Sequence, residues 1–266
     1  MRVGVQNAQG RALTDEIAWA AVNGYTLFDL HVAAPDAPTE RGDWRAVAAQ
    51  LHDNGLAVIC RAADYLPVES PSPIVRQAAL DELRRTLDVA QVVGAPLCTF
   101  PFKGWPHAWP DAAGYEAYNQ LLQILVRHGA ERGVQVALEN GLHSKHEPKY
   151  LREIFKRAPQ AELALDVGRL NVGAARSLVR DYLFAFADRL RHVRLSDNDG
   201  SADQRLPFGA PAAGGIDLVH TLHELKAVGY SGDFCLVLGG DRRWVQGCRE
   251  LVEAGWAQSG RPKIDH

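Results

Sequence analysis

The sequence predicts an α/β protein built as a single (β/α)₈ barrel. Short apolar segments alternate with longer amphipathic segments along the chain, in eight units spaced by roughly 30 residues. The length of 266 residues is close to the roughly 250 residues typical of such a barrel. A doubly wound sheet has the same alternation, but no GxGxxG pattern follows the first strand. The dinucleotide-binding form of that sheet is therefore disfavoured.

Eight apolar segments are predicted as strands. Most of them are continuously apolar, which is typical of parallel strands covered on both faces. Several follow a glycine that marks a turn. In chain order they are residues 3–6, 27–32, 57–61, 97–100, 134–139, 163–166, 192–196 and 234–238.

The segments between the strands carry helix signals. Ser72 and Pro73 predict the N-cap and first position of a long helix over residues 74–92, and Gly94 predicts its end. Three further helices are expected to start near Asp111, Glu147 and Asp217.

No linker, low-complexity tract or charge run divides the sequence. We therefore predict one barrel domain over residues 1–258 and a flexible C-terminal tail over residues 259–266. No two cysteines form a CxxC pair, and we interpret them as small core residues rather than disulfide partners. They are Cys60, Cys98, Cys235 and Cys248.

Composition and charge limit the classes of partner. Hydrophobic residues make up 47% of the chain and charged residues 23%, the balance of an ordinary globular protein. A net charge of -3 and a pI near 6.4 leave no broad basic surface, so we expect no nucleic-acid partner. No apolar run reaches about 18 residues, and the N-terminus enters a strand pattern directly. We therefore expect no membrane partner, a cytoplasmic location and a possible homodimer.

Polar and charged residues recur where the predicted strands end. In a (β/α)₈ barrel the residues that bind and react lie at these ends, so the recurrence predicts one shared pocket. Glu139 and Asp166 each close an otherwise apolar strand, and an unpaired buried charge costs several kcal/mol, so each needs a metal ion, a cation or a ligand. A salt bridge at the barrel rim is the simpler alternative for any one residue. The others in these positions are Asp29, His31, Arg61, Asp64, Lys103, Asn140, Arg169, Arg194, Ser196 and Asp197.

Six segments, taken in order, carry a resemblance to a known family. They are VALEN (residues 136–140), DVG (166–168), HVRLSDN (192–198), LPFG (206–209), GID (215–217) and GYSGDF (229–234). Together they resemble the xylose isomerase-like TIM barrels, a family of sugar isomerases and epimerases. Each segment alone is a weak match, and their common order makes the resemblance specific.

The resemblance implies a divalent metal held by a Glu, an Asp, a His and a second Glu on the last four strands. Carried over to this chain, those positions are Glu139, Asp166, Arg194 and Val237. Arginine keeps its proton and cannot ligate a metal, and valine has no donor atom. We therefore predict no cofactor, and we expect Arg194 to pair with Glu139 or Asp166.

A relocated ligand set is the one arrangement in which we expect Mn²⁺, Mg²⁺ or Zn²⁺. It would combine Glu139 and Asp166 with a histidine near the strand ends. The candidate histidines are His31, His143, His146 and His192.

The function implied by the resemblance is isomerisation or epimerisation of a small polar sugar or keto acid. Without a metal, fixed cations must stabilise the developing charge. We expect Glu139 and Asp166 to be catalytic, with Glu139 as the general base. Lys103, Lys145, Arg169 and Arg194 favour an anionic substrate. The expected ligand contacts are Asp29, His31, Lys103, Trp105, Asn140, Arg169, Arg194 and Asp197.

Two alternatives to this metal-free enzyme stay open. One is a non-catalytic barrel that binds a small molecule or a protein, and the other is a metal-dependent epimerase with relocated ligands. Arginines that face an open pocket favour the enzyme, whereas Arg169 and Arg194 enclosed with carboxylates favour the non-catalytic barrel. Trp105 and Trp109 are placed either to cover a bound sugar or simply to close the barrel top. Apurinic-site endonuclease activity, also found in this superfamily, is disfavoured by the missing ligands and the acidic pI.

Overall fold

The computed structural model describes residues 1–40, 42–142 and 145–259. Its strands are parallel and close into a barrel in sequence order, with the eighth strand paired to the first. The strands are β1 (Val3–Gln6), β2 (Leu27–Val32), β3 (Ala57–Ala62), β4 (Leu97–Phe100), β5 (Gln135–Glu139), β6 (Glu162–Asp166), β7 (Leu190–Leu195) and β8 (Asp233–Leu236). The (β/α)₈ barrel predicted from the sequence is confirmed.

Helices connect the strands and surround the barrel. In chain order they are α1 (Leu13–Val22), α2 (Trp44–Asp53), α3 (Pro73–Val93), α4 (Asp111–Ala130), α5 (Pro148–Arg157), α6 (Val167–Asn171), α7 (Val179–Phe186), α8 (Leu218–Ala227) and α9 (Arg242–Gln258). A short 3₁₀ turn, Ala187–Arg189, precedes β7. In the described ranges, no helix is long and apolar enough to cross a membrane.

The predicted helix boundaries are confirmed. Ser72 is the N-cap of α3, Pro73 is its first residue, and Gly94 ends it with a φ of 76°. The Asp217 carboxylate caps α8 by accepting the backbone N–H of His220 at 2.9 Å. Asp111 begins α4, and Glu147 is the N-cap of α5.

Several strand ends differ from the prediction by one or two residues, and at two of them the backbone finds other partners. Val134 donates to Gly129 O at the end of α4, so β5 starts one residue later than expected. After Leu236, Val237 still donates to Leu195 O at 2.9 Å, but Gly239 donates to Arg205 O instead of continuing along β7. The last strand therefore ends two residues earlier than predicted.

Strand alternation divides the barrel into an outer and an inner set of side chains. The outward side chains pack with the helices in the main hydrophobic core. Inside the barrel, the half near the strand N-termini is filled by a small apolar cluster of Leu27, Ile59, Leu97, Ala137 and Ala164. Towards the strand C-termini the interior becomes polar, and the candidate site lies there.

The four cysteines are free and buried, as the sequence predicts. Cys60 and Cys98 belong to the core between barrel and helices, whereas Cys235 lies between the outward residues Phe234 and Leu236 and so faces the barrel interior. The predicted loose tail is wrong at Ser259, which is buried and donates its hydroxyl to Gly255 O at 2.6 Å. The rest of that prediction, residues 260–266, lies outside the described residues.

Candidate functional site

A network of buried ion pairs fills the interior at the C-terminal ends of the strands. We call it the mouth cluster, and it consists of Asp29, Arg61, Asp64, Glu139, Asp166, Arg169 and Arg194. All of these residues except Asp64 are 5% exposed or less. Neighbouring strands bring them together in register, as in the pairing of Asp166 with Arg194. The shared position at strand ends predicted from the sequence is confirmed in geometry.

Glu139 lies at the centre of the mouth cluster. Arg61 donates to both of its carboxylate oxygens, at 2.6 and 2.9 Å, and Arg169 donates to Oε2 at 2.9 Å. The hydroxyl of Thr99 donates to Oε1 at 3.0 Å. Burial alone would raise the pKa of Glu139, but the guanidinium groups of Arg61, Arg169 and Arg194 outweigh it and hold that pKa well below its usual range. Glu139 is therefore a fixed anion with both oxygens engaged.

Asp64 forms the outer edge of the cluster. It accepts from Arg61 through both oxygens, from Arg169 at 2.8 Å and from Arg205 at 3.2 Å. Burial would raise the pKa of Asp64, but Arg61 and Arg169 lower it far more. Its side chain is 32% exposed, so Asp64 is the member of the cluster that solvent reaches.

Arg194 occupies the position where the family resemblance placed a metal-ligating histidine. Its two terminal nitrogens donate to Asp29 and Gln6. Its Nε lies 3.7 Å from Asp166 Oδ2 and 3.9 Å from Glu139 Oε1. The expected pairing with Glu139 or Asp166 is present as two ion pairs through Nε. The terminal nitrogens bond elsewhere, because the long side chain reaches across the barrel to Asp29 on β2.

Asp166 differs from the other carboxylates in its surroundings. Its Oδ1 caps α6 by accepting the N–H of Arg169 at 3.0 Å, while Oδ2 stands 3.7 Å from the Nε of Arg169. Burial raises the pKa of Asp166; Arg169 opposes that rise, and the negative charge of Asp203 adds to it. Asn140 holds the strand end in place by accepting from Asp166 N at 2.6 Å and donating to Asp166 O at 3.1 Å.

His31 lies beside this network on β2. Its Nε2 is 3.4 Å from Arg61 Nη1, and its backbone is held by the side chain of Asn7. Burial and the neighbouring Arg61 charge lower the pKa of His31 to about 3, so the imidazole is neutral near pH 7.

Three predicted ligand contacts lie away from the mouth cluster. Lys103 pairs with Glu69 at 3.1 Å. Trp105 is buried against Phe102 and the rings of nearby tyrosines, and donates to Asp111 at 3.0 Å. Asp197 is buried and accepts three backbone N–H groups of the loop after β7. These residues hold loops in place, and their role as ligand contacts stays a prediction.

Several residues of the site were missed by reasoning from the sequence. Gln6, Asn7 and Thr99 lie at strand ends, so the same strand-end rule identifies them once neutral side chains are included. Asp203 and Arg205 come from the loop after β7, where no local pattern places them near β3. Arg205 adopts a positive φ of 54° there.

The residues present do not fit the family's metal site. Glu139 has both oxygens bonded to arginines, Arg194 brings a positive charge, and Val237 is a buried apolar side chain. A guanidinium repels a divalent ion and donates no lone pair. The relocated set is disfavoured for the same reason, since it needs Glu139; of its histidines, His143 lies outside the described residues.

Comparison with known proteins agrees with this fold. A D-tagatose 3-epimerase-like protein is 18% identical over 97% of both chains, with a TM-score of 0.84. A 3-keto-D-glucoside 4-epimerase from E. coli is 16% identical over 97% of this chain and 99% of that one, with a TM-score of 0.77. An L-ribulose 3-epimerase is 16% identical over 97% and 95%, with a TM-score of 0.79. Among curated proteins, none matches the sequence significantly.

The family model for xylose isomerase-like TIM barrels matches residues 17–254. That span contains every strand from β2 to β8 and every member of the mouth cluster. The chain therefore belongs to the xylose isomerase-like TIM barrel family.

Proposed function

We propose that the protein is a sugar isomerase/epimerase-like barrel that binds a small polar sugar at the mouth cluster, without a divalent ion held by Glu139 and Asp166. The observation that carries this proposal is the enclosure of Glu139 by Arg61 and Arg169. The names of the structural neighbours, which are sugar epimerases, support a sugar as the ligand class.

The ligand is expected to contact the part of the mouth that solvent reaches. Asp64, Asp203 and Arg205 are between 18 and 32% exposed and form one chain of ion pairs. Carboxylates accept from sugar hydroxyls and a guanidinium donates to them, so this surface suits a polyol.

The preference for an anionic substrate, which we expect from the sequence, has less support once the partners of the cations are known. Lys103 pairs with Glu69, Lys145 pairs with Asp111 at 2.7 Å, and Arg169 and Arg194 lie within the mouth cluster. Each expected anion-binding cation thus already has a carboxylate partner. A neutral ketose or aldose therefore fits better than a sugar phosphate or sugar acid.

Binding without catalysis is favoured over metal-free epimerisation. A general base needs a pKa near the working pH and a free oxygen, and Glu139 has neither. Asp166 keeps the second possibility open, because its pKa is raised by burial and its Oδ2 lies 3.7 Å from the nearest guanidinium nitrogens. In that alternative Asp166 would move the proton between neighbouring carbons.

Calorimetry with a panel of neutral ketoses and aldoses, sugar acids and sugar phosphates tests the proposal. We expect a neutral sugar to bind equally well with Mn²⁺ and with a chelator. Arg205→Ala should weaken binding by roughly tenfold, the cost of about one charge-assisted hydrogen bond. Arg243→Ala is the matched control, because Arg243 is exposed and pairs only with Asp241 among the described residues.

Solvent deuterium exchange into the bound sugar, followed by NMR, separates binding from catalysis. No exchange at carbon is expected. Exchange that disappears in Asp166→Asn would establish the enzymatic alternative instead. Sugar binding that requires Mn²⁺ would overturn the metal-free proposal. A homodimer stays a prediction.

A further inference from the structure

Three side chains meet inside the barrel next to the mouth cluster. They are Asp29 on β2, His192 on β7 and Cys235 on β8. One ligand atom from each lies within 4.8 Å of the other two, and all three residues are buried. Asp29 also belongs to the mouth cluster. His192 lies two residues before Arg194 on β7, so its side chain lies one layer deeper than that of Arg194.

Two of these atoms lack the hydrogen bonds expected of buried polar groups. Among the described residues, neither Asp29 Oδ1 nor His192 Nε2 has a hydrogen-bond partner. The thiol of Cys235 lies 3.5 Å from Leu236 O and also interacts with the Asp29 side chain. An unsatisfied buried polar group costs about 1–3 kcal/mol, so each of these two atoms is available to a further partner.

The donor set identifies the chemistry of that partner. A carboxylate oxygen, an imidazole nitrogen and a thiolate sulfur together suit Zn²⁺, which accepts all three in a tetrahedral arrangement. Mg²⁺ and Ca²⁺ prefer oxygen ligands and do not match the thiolate. We propose that Asp29, His192 and Cys235 bind a zinc ion inside the barrel. None of the four positions implied by the family resemblance takes part.

Arg194 brings a positive charge next to this site, and the surrounding carboxylates offset it. Asp29 pairs with Arg194 through Oδ2, which leaves Oδ1 for the metal. On binding, the Cys235 thiol proton leaves to solvent, so the ion and the thiolate together add one positive charge. The mouth cluster with Asp203 and Arg205 has five carboxylates and four guanidinium groups. The added charge therefore balances the excess carboxylate when all of these groups are ionised.

A cavity of about 570 Å³ lies at the strand N-termini, below the interior group. His192 lines it together with Arg2, Gln135, Arg191 and Asp233.

Metal analysis of the protein purified without chelator tests the site, followed by competition with a zinc chelator. We expect one zinc per chain. Replacement of the zinc with Co²⁺ should give a thiolate-to-cobalt charge-transfer band in the near ultraviolet. That band reports directly on the Cys235 bond, independently of activity.

Substitutions of the proposed ligands test where the zinc ion binds. Cys235→Ser should abolish the band, and His192→Gln should weaken zinc binding by more than the roughly 10- to 100-fold typical of losing an outer-shell partner. Cys98→Ser is the matched control, because Cys98 is buried but packs on the helix side of its strand. Asp166→Asn should also retain the zinc.

Three outcomes would overturn the site. They are a chain that binds no zinc, a band that survives in Cys235→Ser, and zinc lost in Asp166→Asn but kept in His192→Gln. The last outcome would place the ion at the family position and would also contradict the proposed function. The first two leave the sugar-binding proposal untouched. Circular dichroism of each variant separates a lost ligand from a lost fold.

Discussion

His31 shows how the mouth cluster sets the protonation of its neighbours. The side chain is buried against Arg61, and both burial and that charge disfavour the imidazolium. His192 behaves in the same way one layer deeper, where burial lowers its pKa to about 4. Both histidines are therefore neutral in the folded protein and gain protons on unfolding at mildly acidic pH.

The free energy of unfolding should consequently fall as the pH drops below about 6.5, the unperturbed histidine value. Between that pH and the folded values, the unfolded chain binds more protons, and each histidine contributes up to about 1.4 kcal/mol per pH unit. Urea unfolding across this range measures the slope.

His31→Gln isolates one contribution, because it removes one titrating group. Its slope should be shallower than that of the wild type. Equal slopes for the wild type and His31→Gln would contradict the assignment.

The end of helix α3 depends on the backbone conformation of a single residue, Gly94. Gly94 adopts a φ of 76°, which L-residues with a Cβ rarely tolerate. A Cβ built there meets nothing within 4 Å, so the requirement is one of backbone conformation and not of space.

Gly94→Ala is expected to lower the free energy of unfolding by about 1–2 kcal/mol. Gly247→Ala is its counterpart, because Gly247 lies inside α9 and a Cβ there also meets nothing within 4 Å. Gly247→Ala should raise the free energy of unfolding by about 0.5–1 kcal/mol. Chemical denaturation of both variants measures the difference, and a gain at Gly94 would contradict the conformational argument.

Residues outside the four family positions determine whether the mouth cluster can bind a metal. The double substitution Arg194→His and Val237→Glu restores the four residue types of the family's metal site. Glu139 is still unavailable to a metal, because Arg61 and Arg169 donate hydrogen bonds to both of its oxygens. The two-residue variant should therefore bind Mn²⁺ weakly. The obstruction comes from β3 and α6, outside the four positions.

Adding Arg61→Met to the variant with Arg194→His and Val237→Glu should raise its Mn²⁺ affinity by roughly two or more powers of ten. Removal of a fixed positive charge about 4 Å from a divalent ion changes its energy by on the order of 8 kcal/mol at an effective dielectric constant of 20. Electron paramagnetic resonance of bound Mn²⁺ measures the affinity of both variants. Tight binding by the two-residue variant would show that Arg61 and Arg169 are not the barrier.

Local patterns in the sequence determined the barrel and the strand ends that carry Glu139, Asp166 and Arg194. Apolar periodicity and helix caps are properties of neighbouring residues, so they can be read without coordinates. The replacement of two family ligands by Arg194 and Val237 was visible in the same way.

Tertiary structure alone decided which charges pair. Asp29 and Arg194 are 165 residues apart in sequence, and Arg205 and Asp64 are 141 apart. A long flexible side chain can pair with any of several oppositely charged groups. The distances between these groups are set only when the barrel closes. For the same reason, no local pattern joins Asp29, His192 and Cys235, which come from three separate strands.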